Sequence, residues 1–321
     1  MVRFLLTLAR SVAFVATRRV FRGPLRSSWP FGYEVMVEAL RTHMAWVARL
    51  TPERQRAETA CIAARSAEQA QCKTRREDIG SLRCTWFQSE AASRSVLMYA
   101  HGGGYVFGST RTHAAFLARL AVATERSVLA FDYRLAPRHP CPAAIDDALA
   151  VYEALVVAGH RDIIVGGDSA GGGIALAMTV EARRRSWPLP CALVLVSPWV
   201  DLTLRHPSID ANVRTDWGTR DELEIWARAY AGALARDDPR VSPLYADLRG
   251  LPPTLLVAGG GELLRDEISN LADRASRVGV DTELATWADM AHAFPTFGES
   301  LRAANEAIAK IAQFARAHGG S

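Results

Sequence analysis

The octapeptide Gly166-Gly167-Asp168-Ser169-Ala170-Gly171-Gly172-Gly173, GGDSAGGG, decides how this chain is read. It sets one hydroxyl among glycines, between the apolar run Ile163-Ile164-Val165 and the apolar stretch Ile174-Ala175-Leu176-Ala177-Met178. The first run reads as a buried strand and the second as the start of a helix. Gly167 to Gly171 is therefore a G-x-S-x-G pentapeptide at a strand-to-helix turn. Such a turn holds its central residue in a strained conformation, and the flanking glycines keep other side chains clear. Ser169 Oγ then stands at the carboxyl edge of the sheet, beside a helix N-terminus that favours negative charge. Two other glycine-rich turns fit worse. A phosphate loop ends in Gly-Lys-Ser/Thr, and a dinucleotide fingerprint is G-x-G-x-x-G early in the chain with an acid about 20 residues on.

A serine hydroxyl needs a base to take its proton, an acid to orient the base, and donors for the oxyanion. His101-Gly102-Gly103-Gly104-Tyr105 follows the strand pattern Ser95–Ala100, and three consecutive glycines leave their N–H groups unencumbered. Gly103 and Gly104 are the expected donors, with the Ala170 N–H as the third. At such elbows the chain order is Ser, acid, His, so the base follows Ser169. His206 falls in a polar insertion and His318 in the terminal tail. His292 follows the last strand pattern, Thr282–Trp287, and is the expected base. Past the strand pattern Thr254–Gly259 comes Gly260-Gly261-Glu262-Leu263-Leu264-Arg265-Asp266-Glu267. Glu262 stands just beyond the strand end and is the expected acid, with Asp266, one helical turn on, as second choice. Tyr105, Trp199, Trp217, Trp287 and Phe294 are candidate walls of a substrate pocket.

The rest of the chain supplies a scaffold for such an edge. Residues 1–70 read as helical: one helix, a break from Pro24 to Pro30, a second helix over about Tyr33–Leu50 and a third from Pro52 to Ala70. From near Asp78 short β-rich runs alternate with helical patterns such as His113–Thr124, Ala143–Ala158 and Gly172–Arg185. Near-continuous apolar strands separated by helices imply a mostly parallel sheet with both faces covered. Residues 200–240 interrupt that rhythm as a polar, mostly helical insertion. The expected division is an N-terminal helical segment over 1–70 and an α/β domain over 71–321.

Composition narrows the function class. The chain has 321 residues, 49% of them hydrophobic, enough for a large core. Its net charge of +4 comes almost wholly from Arg, scattered among 34 acids apart from the first 26 residues, so a nucleic-acid surface is not expected. Cys61, Cys72, Cys84, Cys141 and Cys191 show no CxxC pair or zinc spacing, which points to reduced thiols, no metal, and a cytoplasmic setting. In the N-terminal stretch Leu5, Leu8, Val12 and Val15 recur at helical spacing, with Arg3 and Arg10 opposite. The charges break any span of the roughly 20 apolar residues needed to cross a bilayer. The apolar side is expected to pack on the rest of the protein. The alternative is docking of residues 1–22 on an anionic membrane surface.

Taken together, HGGGYVFGS at 101–109, DYRLAPRHPCPAAIDD at 132–147, GDSAGGG at 167–173, SPWVDL at 197–202, SPLYADL at 242–248, GGGELLRDE at 259–267 and MAHAF at 290–294 resemble the hormone-sensitive-lipase-like esterases of the α/β-hydrolase fold. The resemblance spans most of residues 80–300. It implies a serine carboxylesterase acting on short- to medium-chain acyl esters, without cofactor, under a helical cap built from the N-terminal segment and the 200–240 insertion. The sequence departs from the family pattern at Glu262, where Asp is usual, at Leu263 in place of Pro, at Arg138 and Cys141, and at Ala293, where Gly is common. None of these removes a catalytic group. An amide or lactone hydrolase, a membrane-associated lipase or sterol ester hydrolase, and a ligand-binding receptor of the same fold are the rival readings. A homodimer remains open.

Overall fold

The computed structural model describes residues 2–60, 67–91 and 95–319. Three helices come first: α1 (Val2–Arg22), α2 (Phe31–Val47) and α3 (Pro52–Thr59). Strands β1 (Cys72–Ile79), β2 (Leu82–Ser89) and β3 (Val96–Ala100) follow, then α4 (Ala114–Thr124), β4 (Ser127–Phe131), α5 (Ala143–Val157), β5 (Ile163–Asp168), α6 (Ala170–Arg184) and β6 (Ala192–Val196). The long β6-to-β7 connection carries α7 (Ser208–Ala211) and α8 (Arg220–Ala231). β7 (Thr254–Gly259), α9 (Arg265–Arg277), β8 (Thr282–Trp287) and α10 (Arg302–His318) complete the chain.

The strands form one eight-stranded sheet in the order β1-β2-β4-β3-β5-β6-β7-β8, parallel except where β2 pairs with β1 and β4. This is the mostly parallel sheet flanked by helices that the resemblance implies. Alternating residues of the buried strands feed two cores. Val96, Met98, Leu193, Leu195 and Leu256 face the side covered by α5, α6 and α9, whereas Leu97, Tyr99, Val194, Leu255 and Val257 face α4 and α10. A strand buried on both faces must be apolar at every position, which is why these runs carry no polar alternation.

Three expectations need correction. β1 falls where the sequence carries no strand pattern: Cys72–Ile79 is charged and exposed along most of its length. It is an edge strand that turns at Gly80 and pairs with β2 from Ile79–Leu82 to Cys72–Ser89, so it has no buried face to leave a signature. The third helix ends at Thr59 rather than Ala70; residues 61–66, Cys61 among them, lie outside the described residues, and Ala67–Gln71 is a 3₁₀ turn. In α1 the packed stripe is Thr7, Ser11 and Val15, while Leu5 and Val12 face outward. Small side chains at Thr7 and Ser11 let α1 lie close on α2, and Arg18 and Arg19 pair with the buried Glu34 of α2.

The elbow depends on a missing side chain. α6 starts so close to the end of β3 that a β-carbon at Gly171 would run into the carbonyls of Ala100 and His101. Both obstacles are backbone, at the last residue of a central strand and the residue after it, and cannot yield. Gly171→Ala should therefore lower stability by about 2–3 kcal/mol, as overpacking does in a filled core. Gly279, with φ 84 and open space around it, is the control. Its replacement by Ala should cost only the backbone penalty of about 1–2 kcal/mol. Urea unfolding of the two variants measures the difference.

Candidate active site

β5 delivers Ser169 to the edge of the sheet with φ 52 and ψ −122, an unfavourable conformation for a side-chain-bearing residue. Two backbone bonds hold it there: Ser169 N donates to the Val196 carbonyl at 2.9 Å, and the Ser169 carbonyl accepts from Trp199 N at 2.9 Å. Its Oγ lies 2.8 Å from His292 Nε2. His292 Nδ1 lies 3.2 Å from Glu262 Oε2. With Nδ1–H donated to the carboxylate, Nε2 is left as an acceptor facing the hydroxyl. The three side chains come from the turns after β5, β7 and β8, and meet as the sequence predicts. Asp266 does not join them: its carboxylate accepts from Ser208 N at 2.8 Å and pairs with Arg265.

Glu262 is fully buried, and that burial pushes its pKa up against the pull of the His292 bond. Burial alone would lower the His292 pKa, but the bond and charge of Glu262, helped by Asp216, outweigh it and the shift is upward. A raised imidazole pKa is what a base needs to accept a serine proton.

Gly103 and Gly104 line the cleft beside Ser169, and Ala170 contributes the first amide of α6. Gly104 has φ 57, in the left-handed region, and a β-carbon there would press on Trp226 at 2.9 Å. Gly102 N donates to Asp168 Oδ1 at 3.0 Å, and His113 Nε2 lies 3.4 Å from Asp168 Oδ2. The residue before the nucleophile thus ties the glycine loop to the elbow. His101 stacks on Tyr133 at 4.3 Å, and burial pushes its pKa down to about 4, so it stays neutral.

The cleft encloses about 410 Å³ and is walled mainly by apolar side chains, among them Phe4, Met36, Leu40, Met44, Phe107 and Trp226. Trp199 and Trp217 reach it as expected. Tyr105, Trp287 and Phe294 do not. Tyr105 is buried against Tyr230, ring centroids 3.7 Å apart, and donates to the Trp199 carbonyl. Trp287 turns outward to Glu306, and Phe294 packs on Trp287 in the core facing α4 and α10. An aromatic beside a motif residue is adjacent in sequence only; strand alternation and helix phase decide which side it faces.

Asp216 is the functional residue that the sequence concealed. It lies in the polar connection after β6, yet it is buried, and its Oδ1 accepts from His292 N at 3.0 Å and Trp217 N at 2.7 Å. Its Oδ2 accepts from Leu263 N at 2.7 Å. One carboxylate therefore joins the backbone of His292 to the residue after Glu262. Burial pushes its pKa up despite three N–H donors. The surrounding segment clasps the acid turn further: Asn212 Nδ2 donates to the Glu262 carbonyl, Thr215 Oγ1 to that of Gly261 and Ser208 Oγ to that of Leu263. Among the described residues, no group of His, Cys, Asp and Glu could hold a metal ion.

Known proteins agree with this architecture. Residues 97–296 match a family described by the α/β-hydrolase fold. An esterase of Acinetobacter venetianus is 37% identical over 232 residues, 71% of this chain and 77% of that protein. An acetyl-hydrolase of Streptomyces hygroscopicus is 33% identical over 242 residues, 74% of this chain and 81% of the relative. The crystal structure of an esterase from the bacterial hormone-sensitive lipase family superposes with a TM-score of 0.81 at 33% identity, covering 98% of each chain.

Because only neutral imidazole can take the Ser169 proton, ester turnover should fall as pH drops through the His292 pKa. The Asp216 charge raises that pKa, so Asp216→Asn should move the acid limb of the kcat/KM profile to lower pH. An amide at this site also points an N–H at Leu263 N, and kcat should fall on the order of ten- to a hundredfold. A group that merely filled space would lower kcat and leave the limb where it was.

Proposed function

The chain belongs to the hormone-sensitive-lipase-like carboxylesterases of the α/β-hydrolase fold, and we propose that it cleaves short- to medium-chain acyl esters through an acyl-enzyme on Ser169. Ser169 Oγ attacks the ester carbonyl while His292 Nε2 takes its proton and Glu262 stabilises the imidazolium. The amides of Gly103, Gly104 and Ala170 receive the oxyanion. His292 then protonates the departing alcohol, and water activated by the same imidazole releases the acid.

The observation that carries this reading is the continuous chain from Ser169 Oγ through the His292 ring to Glu262, at 2.8 and 3.2 Å. A receptor would have no need to bury a carboxylate behind an imidazole. The apolar cleft of about 410 Å³ supports a modest acyl chain, since it lies at the small end of the range for ligand pockets. A relative named an acetyl-hydrolase points the same way. The helical cap of this reading consists of residues 1–70 and the β6-to-β7 connection. Its supports are the hydrogen bonds between those parts, from Arg41 to the carbonyls of Arg214 and Asp216 and from Trp226 to Gln55.

The test is turnover of soluble acyl esters of increasing chain length, with lactone and amide analogues beside them. Ser169→Ala and His292→Ala should each lower kcat by roughly 10⁴-fold or more, and Glu262→Gln by about 10³- to 10⁴-fold, with KM little changed. Asp266→Asn should leave kcat within a few-fold. A harmless Glu262→Gln beside a crippling Asp266→Asn would reverse the acid assignment, and rates that climb only with long chains would reject the chain-length reading.

A further inference from the structure

Among the described residues, no part of the chain covers the outer face of α1. Leu5, Leu6, Val12 and Val20 are 56, 57, 42 and 80% exposed. On the helical wheel they share an arc with Ala9, Ala13 and Ala16, opposite the Thr7–Ser11–Val15 stripe that packs inward. Arg3 and Arg10 border one side of that arc, and Arg22 ends the helix on the side of the inward stripe; all three are exposed. The helix holds five of the 38 basic residues and none of the 34 acidic ones, so the rest of the chain has 33 bases against 34 acids. The whole positive excess of the protein therefore resides on this one helix. Beside it Arg18, Arg22, Arg41 and Arg214 join Phe14 and Phe21, themselves exposed, around a cleft of about 600 Å³ that also contains Glu38.

We propose that α1 is an interfacial docking helix that seats this esterase on an anionic lipid surface. Leu5, Leu6, Val12 and Val20 enter the acyl boundary, and Arg3 and Arg10 meet headgroup phosphates. The charge pattern selects this occupant. A second copy pairing α1 on α1 about a two-fold axis would bring Arg3 and Arg10 of one copy against those of the other, with no acidic group on the element to answer them. Insertion across the bilayer is closed as well, because no described helix is long and apolar enough to span it.

The docking face is one residue away from the catalytic cleft. Phe4 lines that cleft together with Met36 and Leu40 of α2, while Leu5 and Leu6 face outward. A docked α1 therefore forms a thin partition between the lipid interface and Ser169, and an amphiphilic ester held in the interface is presented at the cleft mouth. That last step rests on the function proposed above; the docking itself does not.

Sedimentation of the full chain with phosphatidylcholine vesicles, with and without phosphatidylglycerol, tests the inference. The protein should bind the phosphatidylglycerol vesicles selectively, and salt should weaken the binding. Replacing Arg3 and Arg10 together by Gln should lower the affinity by roughly thirtyfold. Leu6→Gln with Val20→Gln should lower it by roughly tenfold or more, with turnover of a soluble short-chain ester unchanged. Ser169→Ala should bind as the wild type does, so a failure of docking and a failure of the hydrolytic reading register in separate assays. Absence of binding, equal binding to both vesicle types, or undiminished binding by the Leu6/Val20 variant would overturn the proposal. So would light scattering that finds a lipid-free dimer dissociated by the same two substitutions.

Discussion

Ser169 can stand where it does only because the elbow around it is almost bare of side chains. Its φ of 52 is a conformation that a lone residue would leave, and the surroundings remove the alternatives. β5 is bonded into the middle of the sheet between β3 and β6, and α6 is pressed against the end of β3 at Gly171. Backbone on both sides then fixes the turn, and its strain is met by the cooperativity of β3, β4, β5, β6 and β7, which are buried at every position. The placement of Oγ is thus a property of five central strands rather than of the pentapeptide.

A second constraint comes from charge. Glu262, Asp216 and Glu267 are all buried, and burial pushes each pKa upward. They differ in what faces them. Glu267 receives two N–H donors, from Val200 and Asp201, meets no cation, and is held well above the usual carboxylate range. Through those two bonds it clamps the start of the β6-to-β7 connection. Glu262 meets the His292 ring directly, and Asp216 reaches it through the backbone. A positive charge on the His292 ring would therefore be met directly by Glu262 and at one remove by Asp216, in a site of low dielectric where stabilisation of charge is largest. The clasp by Ser208, Asn212 and Thr215 holds the backbone of the turn that brings the Glu262 carboxylate to the His292 ring.

Which parts of this were legible follows from the range of the interactions. The elbow, the glycine loop and the strand ends carrying Glu262 and His292 are local patterns, and the parallel sheet announces itself through runs buried on both faces. Ser169, His292 and Glu262 could be chosen because chain order limits the candidates. Asp216 could not, since its partners are 47 and 76 residues away and its neighbourhood in sequence is polar. Its one signal was an acidic residue beside a tryptophan in an insertion. β1 escaped because an edge strand need bury nothing, and Tyr105, Trp287 and Phe294 because adjacency to a motif does not fix orientation. Ala293 carries a readable trace: it adopts φ 53, the left-handed region that explains why glycine suits this position.

The misjudged face of α1 has a different cause, and it bears on how chemistry and access are divided in this fold. Periodicity identifies the apolar side of a helix and assumes that this side is the buried one. In α1 the inward stripe is Thr7, Ser11 and Val15, with ion pairs to Glu34 at the far end, so little apolar area binds this helix to the molecule. The strands under Ser169, by contrast, bury every residue. Stability is therefore concentrated where the reacting groups are held and thinnest where the cleft wall meets the exterior. A wall attached by small residues and charges can have its outward residues changed without disturbing the elbow. The sheet edge holds Ser169, and the helices laid over it supply Phe4, Met36, Leu40 and Trp226 to the cleft wall.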